Sequence, residues 1–507
     1  MAARTNRKSQ IRRRTPVEAR RGFTLIVLVA ILVASSFAPA DEPDLDRGHQ
    51  TLLTRGLQIH ATTFVPRTGY FDTARWAESN FTTIGMLYYP YTTDGLMPSS
   101  PPGIPWARWL WTWNGVDETD IQPSEQPYVS NLIRLQLKDE RDITDPTELA
   151  YLASTTANLH TLYPNVIVHT NQWGSQFSVQ QMQDYMQQVQ PDMLMFDTYP
   201  FNGNVAGGSP TNLYRDLEKY RKLGLAGNDG TGARPIPVGM YTQTFNYKVT
   251  ESEIRLNNFS AWAFGYKLVD SFVYDDPQNP DLLPVLFTPG TGTTSPTAQF
   301  YQVAETNRQS LNIGDALVRL ISTDVRMKMG QHKVLTFNVD NGQPDGVSSW
   351  NASADPYITN ITATNLGSKN DSLPGDVIVG YFKPLDASFT DPGHEDDLYF
   401  MIVNGLSDEA GSAYDCRQLI SMDFNFGGSG ITQLLRMSRD TGEVEEVALT
   451  HDGGTLYHLD LTLYGGEGDL FKFDNGGEFV PEPATIALLL SGSLMLSIRK
   501  KRADRGR

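Results

Sequence analysis

Between residues 50 and 325 the chain alternates short apolar runs with longer stretches in which apolar residues recur at helical spacing. Thr62-Thr63-Phe64 and Thr83–Tyr89 open the series as strand candidates. LIRLQLKD (132–139) is followed by DPTELAYLASTTANLHTLYP, where Leu149, Leu152, Leu159 and Leu162 mark one helix face. There Asp145 is placed to cap the helix, Pro146 suits its first position, and Glu148 completes a capping box. The strand VIVHT follows, then SVQQMQDYMQQVQP with Ser178 as cap and Val179, Met182, Met186 and Val189 on one side. MLMFD, the helix around LYRDLEKYRKLGL, PIPVGMYT, the helix SEIRLNNFSAWAFGY and SFVYD continue the alternation.

Consecutive strand–helix units predict parallel strands joined by crossover helices. The fold class expected is α/β: a (β/α)8 TIM barrel over residues 45–326, since such barrels run to about 250 residues. A doubly wound sheet would favour a glycine-rich turn after the first strand, and there is none. Beyond residue 328 the pattern changes to KVLTFNV, DVIVGYF, DLYFMIVN, QLISMDFNF, ITQLLRM, EVEEVAL, LYHLDLTL and DLFKF, separated by Gly, Asp and Asn. That predicts an antiparallel β-sandwich over 330–477, with the boundary near 326–333.

Both ends break the pattern. MAARTNRKSQIRRRTPVEARRG is basic, FTLIVLVAILVASSF is apolar but short, and Ala38-Pro39-Ala40 sets small residues before Asp41. Residues 1–40 therefore read as an export signal cut after Ala40. Arg20-Arg21-Gly22-Phe23 resembles a twin-arginine motif, while GFTLI resembles a prepilin site except for Val27 where that family has Glu. At the other end Val480-Pro481-Glu482-Pro483 precedes an apolar run closed by Arg499, Lys500, Lys501 and Arg502. Residues 480–502 resemble a PEP-CTERM sorting signal. That resemblance implies recognition by a membrane exosortase, a transmembrane segment before processing with its basic end in the cytoplasm, and delivery to the envelope, outer surface or medium of a Gram-negative-type bacterium.

Composition narrows the chemistry. The formal charge is −17, and because both termini are basic the central region is more acidic still. Such a surface repels phosphate backbones, so a nucleic-acid partner is not expected. The lone Cys416 excludes an internal disulfide. The eight histidines show no H-E-x-x-H spacing. The acidic turn DPGHEDD (391–397) lacks a calcium-loop pattern. No metal and no cofactor is expected, and there is no G-x-S-x-G elbow or Walker loop.

The candidate chemistry lies where predicted strands end in acids. In a parallel barrel the segments after the strand C-termini form the active face, which gathers Asp139, Glu140, Asp197, Asp275 and Asp276 at one rim. Clustered acids raise each other's pKa, and glycoside hydrolysis requires one carboxyl that stays protonated beside another that does not. Any one such acid is more often a cap or a loop ion pair, as Asp142 and Asp145 are read here. In WARWLWTWNG, Trp109, Trp111 and Trp113 alternate along an extended segment and suit either sugar stacking or core packing. Trp173, Tyr88, Tyr89, Tyr91 and Tyr199 also fall near strand ends, and PSSPPGIP (98–105) is a stiff loop beside them.

The Asp139-Glu140 pair, PDMLMFDTYP (191–200) and WAFGYKLVDSFVYDD (from Trp262) together resemble a branch of the TIM-barrel glycoside hydrolase superfamily, distantly similar to beta-galactosidase-type barrels. DVIVGYF, LYFMIVN and GGEGDLFKF resemble its accessory sandwich. The resemblance implies Glu140 as general acid, Asp197 as base or nucleophile, and Asp139 tuning Glu140. Tyr199, Gln243, Trp111, Trp113, Trp173, Tyr89 and Asp275 are the expected substrate-binding residues. One departure stands out: the seventh-strand candidate offers Gln243 where the largest clan has an acid. The expected partner is a polysaccharide or oligosaccharide, cleaved or, in the alternative, only bound; a purely structural surface role is a third reading. A carboxyl separation of ~5–5.5 Å would mean retention and ~6.5–9.5 Å inversion.

Overall fold

The computed structural model describes residues 45–63, 72–87, 103–113, 115–201, 210–245, 249–275, 285–331 and 343–480. All of them fall in one compact unit that begins at Leu45. The expected export signal, the sorting segment from Pro481, Tyr88, Tyr89, Tyr91, Asp276 and the KVLTFNV run lie outside the described residues, as does the side chain of Trp113.

Eight parallel strands close into a barrel: β1 (Gln58–Thr63), β2 (Thr83–Leu87), β3 (Trp106–Leu110), β4 (Leu132–Asp139), β5 (Ile167–Trp173), β6 (Leu194–Asp197), β7 (Val238–Gln243) and β8 (Leu268–Asp275). They follow one another around the barrel in chain order, β8 pairing back onto β1. The third is the strand that the sequence pattern did not separate from the tryptophan-rich segment around it. Helices α1 (Arg47–Arg55), α2 (Thr73–Glu78), α3 (Pro146–Leu162), α4 (Val179–Val189), α5 (Pro210–Ala226), α6 (Glu251–Ala263), α7 (Ala298–Asn312) and α8 (Gly314–Arg319) accompany it, α2 to α6 as crossovers between strands. Their starts follow capping chemistry. Asp145 accepts from the Thr147 N–H with Pro146 in the first turn, and Ser178 forms a full capping box with Gln181. Glu148 does not complete the box predicted at α3; its carboxylate takes Arg141 instead, at 3.1 Å.

Two further sheets follow. The larger has seven strands, Leu320–Lys328, Val377–Pro384, Tyr399–Asn404 and Gly468–Phe473 forming its middle; the smaller has four, led by Ile358–Asn365, Gln418–Asn425 and Leu456–Leu463. Except where Ser348–Ser349 joins Leu320–Lys328 in parallel, every pairing in them is antiparallel. Their facing sides share an apolar cluster that includes Ile361, Val379, Ile402, Met422, Phe424 and Phe471. The other side of the larger sheet, with Ile378, Phe382, Met401, Val403 and Leu470, belongs to the same cluster as the barrel–helix core. Burial on both faces explains why VIVGYF and YFMIVN read as unbroken apolar runs rather than alternating ones.

Helix α6 is the joint. It is buried from Ser252 to Ala263 because β7 lies on one side and the larger sheet on the other. Gly380 permits that approach: a Cβ there would sit 2.0 Å from the Ala263 carbonyl oxygen. The polar groups that α6 carries into this layer are engaged, Arg255 with Glu251 at 2.8 Å, Gln309 at 3.1 Å and Glu467. The first strand of the larger sheet starts at Leu320, inside the stretch that the sequence pattern gives to the barrel.

Candidate active site

The barrel interior is built in layers. Arg134 of β4 pairs with Asp270 of β8 at 0% exposure for both, and Thr62 of β1 donates to the same carboxylate at 3.1 Å. Above them the Tyr241 hydroxyl of β7 donates to Gln136 of β4 at 2.8 Å. Strand alternation turns Arg134 and Gln136 inward and would carry Lys138 inward as well. It does not. Lys138 takes a left-handed conformation (φ 60°), as does Glu140 (φ 47°), and the β4–β5 register shifts between Gln136 and Asp139. The Lys138 ammonium leaves the barrel for Asp117 and the Thr112 hydroxyl. The parity flip brings Asp139 onto the interior side, where Gln136 donates to it at 3.3 Å. Left-handed backbone at the two bulky residues flanking one acid costs on the order of 1–3 kcal/mol each, and such strain gathers at sites that need a side chain re-aimed.

Asp139, Glu140 and Asp197 come together at the rim, as expected. Asn171 of β5 stands between them: its side-chain amide donates to Asp139 at 2.9 Å and to Asp197 at 3.3 Å, and its backbone carbonyl accepts the Glu140 N–H at 3.0 Å. Among the described residues no cation balances the three. Lys138 is committed to Asp117, Arg141 to Glu148, Arg108 to Glu118 and Glu125, and Arg134 to Asp270. Burial and mutual repulsion therefore set their protonation. Burial, reinforced by the charges of Glu140 and Asp139, pushes Asp197 up to about 8. Asp139 is raised to about 6 by burial against the opposing pull of the Asn171 hydrogen bond, with Glu140 adding to the rise. Burial also raises Glu140, the most exposed of the three. Like charges lacking a counter-ion in a low-dielectric setting hold a proton near neutrality.

The aromatic residues divide. Trp173 ends β5 in register with Asp197 and is 48% exposed; Trp111, just past β3, is 39% exposed. Trp109 stacks its edge on Trp111 with ring centres 4.9 Å apart and packs with the apolar residues that fill the barrel. Trp113 lies on a two-residue hairpin with Val116–Asp117. Tyr199 is half-buried, its ring 4.7 Å from Phe245 and 6.1 Å from Phe272. Gln243 ends β7, as read from the sequence, and both ends of its carboxamide are engaged by the Phe201 backbone. Asp275 ends β8 beside Thr63, across the mouth from β4, and is buried. Asn171 and Gln136 were not singled out by the sequence pattern. Among the described residues no group of three or more His, Cys, Asp and Glu is placed to hold a metal ion, and no helix is long and apolar enough to cross a membrane.

No family model matches the chain, and no curated protein matches it. Solved structures do. An endo-beta-1,4-mannanase from Thermotoga petrophila aligns over 82% of this chain and 97% of its own at 10% identity and a TM-score of 0.34. A GH2 beta-galacturonidase from Eisenbergiella tayi aligns over 50% of this chain at 11% identity and a TM-score of 0.34, and this chain spans about half of it, 51%. An aldolase from Escherichia coli K12 aligns over 52% of this chain and 91% of its own at 9% identity and a TM-score of 0.28. A mannanase, a galacturonidase and an aldolase thus stand side by side, and at these scores the residues at the rim, not the alignments, carry the chemistry.

Proposed function

We propose that the protein is a glycoside hydrolase whose reacting groups are Asp197 and Asp139. The carrying observation is a pair of carboxyls on neighbouring parts of one rim, bridged by a single amide nitrogen. The Asn171 side-chain nitrogen lies 2.9 Å from Asp139 and 3.3 Å from Asp197, which keeps the two carboxyls beside one another. Asp197, with the higher pKa, is the proton donor. Its proton passes to the glycosidic oxygen as the bond from that oxygen to the anomeric carbon breaks. Asp139 supplies the electron pair that forms a new ester bond to the anomeric carbon. Water then attacks that carbon, Asp139 leaves with its electron pair, and the proton of the water returns to Asp197. Burial holds Asp197 protonated, and the charge of Glu140 adds to it. This assignment makes Asp197 the acid, whereas the sequence resemblance gave that role to Glu140.

An acidic mouth whose neighbouring cations are all engaged suits a glycan without carboxylates, and the exposed indoles of Trp111 and Trp173 suit stacking on sugar rings. Export and exosortase-dependent sorting are proposed on the residues of the two termini, and truncation after Val480 with cell fractionation tests the sorting proposal separately.

The test is hydrolysis of a broad panel of neutral polysaccharides by wild type, Asp197→Asn and Asp139→Asn, with affinity electrophoresis on the same panel. Turnover by wild type that both variants lose while still binding supports the hydrolase. Binding without turnover by wild type favours the glycan-binding alternative.

A further inference from the structure

One residue reaches all three rim acids. Asn171 lies in β5, between the strands that carry Asp139 and Asp197, and is 3% exposed. Its Nδ2 donates to Oδ1 of Asp139 and to Oδ1 of Asp197, and its carbonyl oxygen takes the N–H of Glu140. A carboxamide nitrogen has two protons to give and accepts nothing, so both are spent on the two carboxyls. Turning the amide over would set its oxygen against two carboxyl oxygens, which repel it whenever either is ionised. Gln136 also donates to Oδ1 of Asp139, at 3.3 Å. Among the described residues no other side chain donates to either carboxyl, and the Asp197 backbone N–H bonds to its own. An oxygen already accepting N–H bonds is the poorer seat for an acid proton, which leaves Oδ2.

We infer that Asn171 is a positioning residue: it fixes Asp139 and Asp197 by their Oδ1 atoms and thereby confines the exchangeable proton of each to Oδ2. The catalytic consequence rests on the hydrolase reading above; the placement of the protons rests on the geometry alone. In that reading Asp197 Oδ2 carries the proton given to the leaving oxygen, and Asp139 Oδ2 forms and later breaks the ester bond. Asn171 itself touches neither substrate nor reacting carbon. It sets which oxygen of each carboxyl can face them.

Asn171→Leu keeps the size and removes both donors, and Asn171→Asp keeps the shape and adds a like charge. The carboxyl titrations of both aspartates are followed in the full chain by carbon-13 NMR with labelled aspartate, assigned through Asp139→Asn and Asp197→Asn. Losing an N–H donor disfavours the ionised form, so Asn171→Leu is expected to move both midpoints up by about one pH unit. Asn171→Asp is expected to move the Asp197 midpoint up further. On an aryl glycoside that wild type cleaves, kcat of Asn171→Leu is expected to fall about tenfold or more with little change in KM, and the acidic limb of the pH profile to move to higher pH. Midpoints that stay put in both variants overturn the inference. Midpoints that move in a protein inert on every glycoside uphold the clamp and sink the hydrolase reading instead.

Discussion

Two clusters of acids in this protein have opposite surroundings. At the barrel rim Asp139, Glu140 and Asp197 face one another and a neutral amide. At the junction between α6 and the larger sheet, Glu467 and Asp469 face Arg255, Arg436 and Arg439, with Arg439 reaching Glu467 at 3.0 Å and Arg436 reaching Asp469 at 3.2 Å. The second cluster is a brace, in which each acid is met by guanidinium groups. In the first, burial and the acidic neighbours keep a proton in place, with no cation among the described residues to offset them. One layer down in the barrel interior, Asp270 is matched by Arg134, which opposes the rise that burial gives its carboxyl. A count of acids does not separate chemistry from structure; the presence or absence of a partner does.

The sharpest break of the comparison is Asp197→Asn, expected to cut turnover by about 10²–10⁴-fold, measured as kcat on any glycoside wild type cleaves, with the protein still folded. At the junction, Asp469→Asn is expected to cost about 1–3 kcal/mol of unfolding free energy, because it removes the carboxylate charge that Arg436 and Arg439 share while leaving them Glu445 and Glu467, and to leave the shape of the pH–rate profile unchanged; denaturant titration measures it. Trp173→Ala is expected to weaken glycan binding about tenfold with kcat less affected, read by isothermal titration calorimetry on a neutral oligosaccharide.

The smallest effect concerns stability and carries a definite sign. The folded Asp197 has its pKa raised from 3.8 to about 8. Its ionisation is therefore disfavoured by folding, and stability is lost as pH rises from about 4 to about 8 and stays constant above. Asp197→Asn removes that cost. It is expected to raise the midpoint of thermal denaturation at pH 9 and to change it little at pH 4. Activity should follow the same two groups, rising as Asp139 loses its proton near 6 and falling as Asp197 loses its proton near 8.

Much of the barrel was legible because its strands are buried on both faces and stand out as apolar runs between helical stretches; LIRLQLKD is a strand end to end. The acids at the strand ends were legible for the same reason, since a charge that stops an apolar run marks the rim. WARWLWTWNG was read as an extended segment whose alternating Trp109, Trp111 and Trp113 suit either sugar stacking or core packing, because alternation cannot distinguish a barrel strand facing a packed interior from an extended loop facing solvent. LISTDVRMK, the first strand of the larger sheet, was missed because its polar side faces out and dilutes the apolar signal.

The finer features of the site had no such signal. Nothing in the sequence announces that Lys138 and Glu140 leave the ordinary strand conformation and turn Asp139 inward; by parity Asp139 should face out. Asn171 sits in VIVHTNQW as one polar residue among several. Its role depends on which atoms of two other strands stand beside it, a matter of three-dimensional register that no spacing along the chain encodes.

The central claim is that Asp197 keeps its proton at neutral pH because burial and its acidic neighbours, with no cation among the described residues to offset them, disfavour its charge. Difference infrared spectroscopy between wild type and Asp197→Asn across a pH series tests it directly, through the carbonyl stretch of a protonated carboxyl. The account predicts that band at pH 7 and its loss with a midpoint near 8. Its absence at every pH above 5 would contradict the account.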